Sequence, residues 1–196
     1  MKAQFKPLSY SDLSLGTQLA RSSHTVVQED PATAVMTDLN KIKPFTVEAT
    51  ASLDYANSKM IACGVRLLFV MNADDVLVGL ITASDIFGEM PITHLQKHGG
   101  PRADILVQDI MTPYVKLKTL QMTDVLKTKV GDIIETMKAF GRQHILVVDK
   151  LDDQSSEYIC GIFSTTQISR QLGIEINLSP KASTFAEFKS AIESYF

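Results

Sequence analysis

The residues most able to do chemistry lie in Val78-Gly79-Leu80-Ile81-Thr82-Ala83-Ser84-Asp85-Ile86-Phe87. An apolar strand runs through a glycine to a hydroxyl, two small residues and a carboxylate, and then enters a helical pattern. Backbone at Gly79 can lie close to a ligand. The Thr82 hydroxyl and a helix N-terminus offer donors to an anion, and Asp85 can accept from two ribose hydroxyls. The order recurs in Cys160-Gly161-Ile162-Phe163-Ser164-Thr165-Thr166-Gln167-Ile168. Ser164 holds the place of Thr82 there, and Gln167 stands in for the aspartate. The chain is a repeat with unequal halves.

Each of these residues also has a structural reading. A hydroxyl followed three residues later by a carboxylate is a variant capping box, so Thr82 and Asp85 fit a helix cap, a ligand site or both. Arg66, set among apolar residues, fits a snorkelling side chain at the core edge or a guanidinium fork for phosphate. His144 reads as a hydrogen-bonded edge histidine or a phosphate sensor. His94 and His98 are spaced for a shared metal on a helix, but no glutamate follows His94 and no third ligand is near, so a solvated face is the better reading and no metal is expected. Ser164-Thr165-Thr166 lacks the glycine-flanked elbow of a hydrolase nucleophile, and the glycines form no dinucleotide fingerprint. The expectation is a protein without catalytic residues or a required cofactor.

The elements that position these residues follow from periodicity. Residues 1–30 show no sustained period and read as an N-terminal arm. Phe45-Thr46-Val47 is a short strand after Pro44. Leu53, Ala56 and Met60 share a helix face, with Thr50 or Ser52 as cap and Gly64 as stop. Leu67-Leu68-Phe69-Val70-Met71 is apolar on both faces, turns through Asn72-Ala73-Asp74-Asp75, and returns as Val76 to Ile81. Gly99-Gly100-Pro101 is the clearest break. Beyond it Met111-Thr112 answers Met36-Thr37. Val130, Ile133, Met137 and Phe140 repeat the helix face up to Gly141, and Ile145 to Asp149 repeats the central strand. Ser183-Thr184 with Phe185, Phe188, Ala191, Ile192 and Tyr195 predicts an amphipathic C-terminal helix. The expected divisions are 1–30 arm, 31–98 first repeat, 99–174 linker and second repeat, and 175–196 tail helix.

Composition bounds the function. The 196 residues, 45% hydrophobic with a formal net charge of -3, can bury a full core but carry no basic surplus for nucleic acid. Apolar runs are too short to span a bilayer, and Met1 to Pro7 has no apolar signal core, so the expected address is the cytoplasm, away from membranes. Cys63 and Cys160 are expected as two buried thiols rather than a disulfide.

With strand, helix, strand, strand and helix given twice, Met-Thr at each opening and Gly-Leu-Ile-Thr-Ala-Ser-Asp at one close, residues 30–173 resemble a tandem pair of cystathionine β-synthase (CBS) domains, a Bateman module. The resemblance implies an α+β fold, with two β-α-β-β-α units packed sheet to sheet as a pseudo-twofold pair around two related clefts. It implies a regulatory ligand, an adenine nucleotide (AMP, ADP or ATP) or S-adenosylmethionine, and a homodimer that reports to an effector protein. No effector domain accompanies the pair, so another chain is the expected listener. Carried over by position, Thr82 and Asp85 take the ribose. Arg66 in one half and Gln143-His144 in the other reach the phosphates, and backbone at Phe45, Thr46 and Val47 meets the adenine. The helix face of Leu53, Ala56 and Met60 would add to the dimer surface. Two departures stand out: Gln167 replaces the ribose aspartate, and Phe69 and Leu146 replace a proline often found in the middle strand. A neutral amide in place of a charge-assisted acceptor weakens ribose capture by roughly tenfold or more. One competent cleft at Asp85 and one weak cleft at Gln167 are therefore expected.

Overall fold

The computed structural model describes residues 8–9, 11–18, 25–151 and 156–178. The expected arm lies partly, and the expected tail helix over 183–195 wholly, outside the described residues.

The fold is α+β, with two four-stranded sheets of matching design. In the first sheet the order is β2 (Thr46–Glu48), β3 (Leu67–Met71), β4 (Leu77–Thr82) and β5 (Thr112–Pro113). In the second it is β6 (Thr119–Gln121), β7 (His144–Lys150), β8 (Glu157–Ser164) and β1 (Thr37–Asp38). Each sheet has one parallel pair, β2 with β3 and β6 with β7, and antiparallel pairs elsewhere. The parallel pairs need crossover helices, supplied by α1 (Leu53–Cys63) and α6 (Val130–Phe140), with the short α4 (Val107–Ile110) and α5 (Met122–Val125) between them in the chain.

Local chemistry sets the helix limits. Ser52 accepts the Tyr55 N–H at 3.2 Å to open α1, and Gly64 closes it at φ 64°. Gly141 closes α6 in the same left-handed conformation, φ 58°. In the turn after β3, the Asn72 side chain accepts from the N–H groups of Asp74 and Val76.

The doubly apolar strands have a simple explanation. Leu68 and Val70 of β3 face α1 in the first unit's core, whereas Leu67 and Phe69 point the other way and meet Leu80 and Leu146 between the sheets. Ile145 and Val147 of β7 likewise face the second unit's core. The units pack sheet to sheet through that middle cluster. Leu53, Ala56 and Met60 are almost fully buried in the first core, which removes them from any dimer surface. Cys160 is buried and Cys63 half-buried, so only one of the two thiols is enclosed as expected, and both are free.

The strands that open the two repeats are exchanged. β1 pairs with β8 of the second unit, and β5 pairs with β4 of the first. The residues ahead of them follow suit. Ala32 and Val35 pack in the second unit's core, while Ile105, Val107 and Ile110 pack in the first. This crossing accounts for Gly79 and Gly161. A Cβ at Gly79 would stand 2.6 Å from the Thr112 carbonyl oxygen and 2.8 Å from Met111 Sδ, and one at Gly161 would stand 2.5 Å from Met36 Sδ. Gly79 therefore admits the Met-Thr strand of the other repeat, not a ligand as its place in the sequence suggested.

Candidate functional site

Between the two units, where β4 runs into α2 (Ala83–Phe87), opens a cleft of about 620 Å³. That volume suits a small-molecule ligand. Thr82, Ser84 and Asp85 line it from the first unit. The second unit contributes Thr119 and Leu120 of β6, Phe140 and Arg142 from the end of α6, and His144 at the start of β7. Lys116 and Lys118, on the segment joining β5 to β6, close one side.

Thr82 caps α2. Asp85 Oδ2 accepts the Thr82 N–H and the Thr82 hydroxyl, both at 2.8 Å, and Thr82 Oγ1 accepts the Asp85 N–H at 3.3 Å. The capping reading of this pair is thus realised. Oδ1 of Asp85 has no hydrogen-bond partner among the described residues. The carboxylate is half-buried on the cleft wall and in no salt bridge among those residues. Ser84 Oγ donates to Gln143 Oε1 at 3.2 Å and ties the two units together at the rim.

His144 is half-buried. Burial first, and the charge of Arg66 second, push its pKa down to about 4, so the imidazole is neutral at pH 7. Arg66 itself is exposed, and its carbonyl accepts the Ala83 N–H just ahead of β3. The Gln143 carbonyl does the same for Thr165, which makes Arg66 and Gln143 structural counterparts.

The expected site residues are therefore only partly gathered. Thr82, Asp85 and His144 share the cleft, with Arg66 beside His144. Thr46 and Val47 do not join them. They line a separate hollow of about 710 Å³ with Tyr55, Lys59, Asn72 and Asp75 at the far end of the first sheet. In the Asp85 cleft the first strand that shares the wall with the carboxylate is Thr119-Leu120 of the other unit. Ser164 lies opposite His144 in the β7–β8 register and opens α7 (Thr165–Leu172), the position that Thr82 holds in the first unit.

The CBS domain family matches this sequence over residues 32–91. Among solved structures, an uncharacterized conserved protein from Pyrococcus horikoshii shares 28% identity at a TM-score of 0.51, over 74% of this chain and 93% of its own. CBSX2 from Arabidopsis thaliana, in complex with AMP, is similar at 20% identity and a TM-score of 0.50, over 72% of this chain and 94% of its own. The CBS-domain containing protein ATU1752 from Agrobacterium tumefaciens, 17% identical with a TM-score of 0.50, covers 76% of this chain and 98% of its own. Residues 32–91 match a CBS domain, and the fold of the chain is that of CBS-domain pair proteins. No curated protein matches its sequence.

The two faces of the molecule differ in their polar chemistry. At the second turn, Thr37 Oγ1 donates to Gln167 Oε1 at 2.7 Å. Thr112, which pairs with Leu80 as Thr37 pairs with Ile162, lines the Asp85 cleft instead. The Gln167 acceptor is thus engaged by protein where Asp85 Oδ1 is open. Sequence reasoning missed Lys116, Lys118, Thr119, Phe140 and Arg142. The one available signal was the likeness of Thr119-Leu120-Gln121 to Thr46-Val47-Glu48, each leading into a crossover helix. On α3 (Met90–His98) the His94 and His98 rings lie 4.6 Å apart. No group of three metal-ligating side chains occurs among the described residues, and no described helix is long and apolar enough to cross a membrane.

Proposed function

We propose that this CBS pair is a non-catalytic regulatory module that binds an adenosine derivative in the cleft marked by Thr82 and Asp85 and signals to a partner protein. The observation that carries this reading is the Asp85 carboxylate, which lines an inter-unit cleft: one oxygen is spent in the cap and the other has no protein partner among the described residues. Ribose hydroxyls are the donors such an oxygen suits, and the first turn of α2 holds it in place. CBSX2, a protein of the same fold, is known in complex with AMP, which supports an adenine nucleotide as the ligand class. Because the cleft is walled by both units, a ligand that prefers one packing of the units over another shifts their population by its difference in affinity. That shift is the signal a partner would read.

Thermal unfolding with a panel of adenosine derivatives tests the reading. A true ligand at 100 times its dissociation constant should add about 2.7 kcal/mol. Asp85→Asn preserves an acceptor for the cap but loses the charge, so it should lower ligand affinity about tenfold while changing unliganded stability by less than about 1 kcal/mol. If no derivative stabilises the protein, the ligand-sensing account fails, and the pair is a structural or dimerisation module that serves as a docking surface.

A further inference from the structure

The chain as a whole is acidic, with a formal net charge of -3. The Asp85 cleft is not. Its walls carry Lys116, Lys118 and Arg142 against the single carboxylate of Asp85. Arg66 adds a further positive charge beside His144 at the same seam. None of these four cations forms a salt bridge among the described residues. They come from three separate segments: the turn before β3, the connection between β5 and β6, and the loop after α6. Four like charges brought to one opening with a single carboxylate among them repel one another, which costs folding free energy unless an anion occupies the opening. Arginine offers a planar fork for phosphate oxygens and lysine a mobile point charge, so the set suits a phosphate chain.

Counting charge narrows the ligand further. A single phosphate ester carries about -1.5 to -2 near neutral pH and is matched by two cations. Three line this cleft and a fourth stands behind His144; less the carboxylate of Asp85, the net is three positive charges, which a single phosphate ester leaves partly unmatched. We infer, on the reading of the site given above, that its ligand carries at least two phosphates, with the ribose at Asp85 and the phosphate chain against Lys116, Lys118 and Arg142. A sulfonium such as S-adenosylmethionine brings positive charge to a positive wall and is disfavoured. Bare adenosine forgoes the cations altogether.

The test is calorimetry on the full chain with adenosine, AMP, ADP, ATP and S-adenosylmethionine at fixed ionic strength, repeated with Lys116→Gln/Lys118→Gln and with Arg142→Gln. Among the described residues these side chains make no cap or core contact, and unliganded thermal midpoints no lower than the parent's will verify that the variants fold. The expected result is a rise in affinity of about tenfold or more from AMP to ADP, steeper at low salt, that the lysine double variant flattens. Equal affinity for AMP, ADP and ATP, or tightest binding of S-adenosylmethionine, overturns the polyphosphate inference and leaves the adenosine site standing. If none of the five binds, the site reading and the inference fall together.

Discussion

His144 holds its place at the seam as a neutral imidazole because burial and Arg66 both disfavour the charged form. Its folded pKa, about 4, lies below the value of about 6.5 expected when unfolded. As pH falls below about 6.5 the unfolded chain takes up a proton that the folded chain refuses, so stability present above that pH is lost on the way down to about 4. The upper bound on the loss is about 3 kcal/mol, which solvent at a half-buried site reduces. Urea unfolding at steps between pH 7 and pH 4 should show His144→Gln losing less stability over this window than the parent protein. Equal slopes would mean that His144 is not held neutral. Single residues were legible in the sequence where chemistry is local. Thr82 and Asp85 were found because a hydroxyl and a carboxylate three residues apart at a strand end occupy one helix turn. Lys116, Lys118 and Arg142 carry no such local signature, since they meet only in a cleft assembled by distant segments.

At the scale of elements, the close contacts lie where β1 and β5 cross to the opposite sheet. Gly79 meets backbone, the Thr112 carbonyl oxygen and Pro113 Cα, whereas the atoms nearest Gly161 all belong to the Met36 side chain. A methionine can change rotamer and a paired strand cannot move as cheaply. Gly79→Ala should therefore destabilise the protein by about 1–3 kcal/mol or more, and Gly161→Ala by less, measured by denaturant midpoints. The reverse order would show that β5 does not sit on β4 as described. Helix limits at Ser52, Gly64 and Gly141, and the doubly apolar β3, were readable because capping, left-handed turns and burial on both faces leave local marks. The strand exchange was not. Met36-Thr37 and Met111-Thr112 match one another equally well whichever unit receives them, and only the packing of Ala32 and Val35 in one core and Val107 and Ile110 in the other decides it.

For the whole molecule, the two units are joined through Leu67, Phe69, Leu80 and Leu146 and by the segment that leaves β5 on one sheet and enters β6 on the other. That segment also brings Lys116 and Lys118 to the cleft, so a ligand held there would touch both units and their connection at once. The repeat and its sheet-to-sheet pairing were legible in the sequence, but the partner strand of the Asp85 turn was not, because one unit's pattern does not reveal which surface of the other it faces. The central claim is an asymmetric pair, with a ribose acceptor open at Asp85 and its counterpart at Gln167 bound to Thr37. The most direct measurement is a crystal structure of the protein grown with saturating ADP, together with binding stoichiometry from calorimetry. The account predicts one tight site per chain, with the ribose on Asp85 Oδ1. Two sites of equal affinity, or a nucleotide seated beside Gln167 with the Asp85 cleft empty, would contradict it.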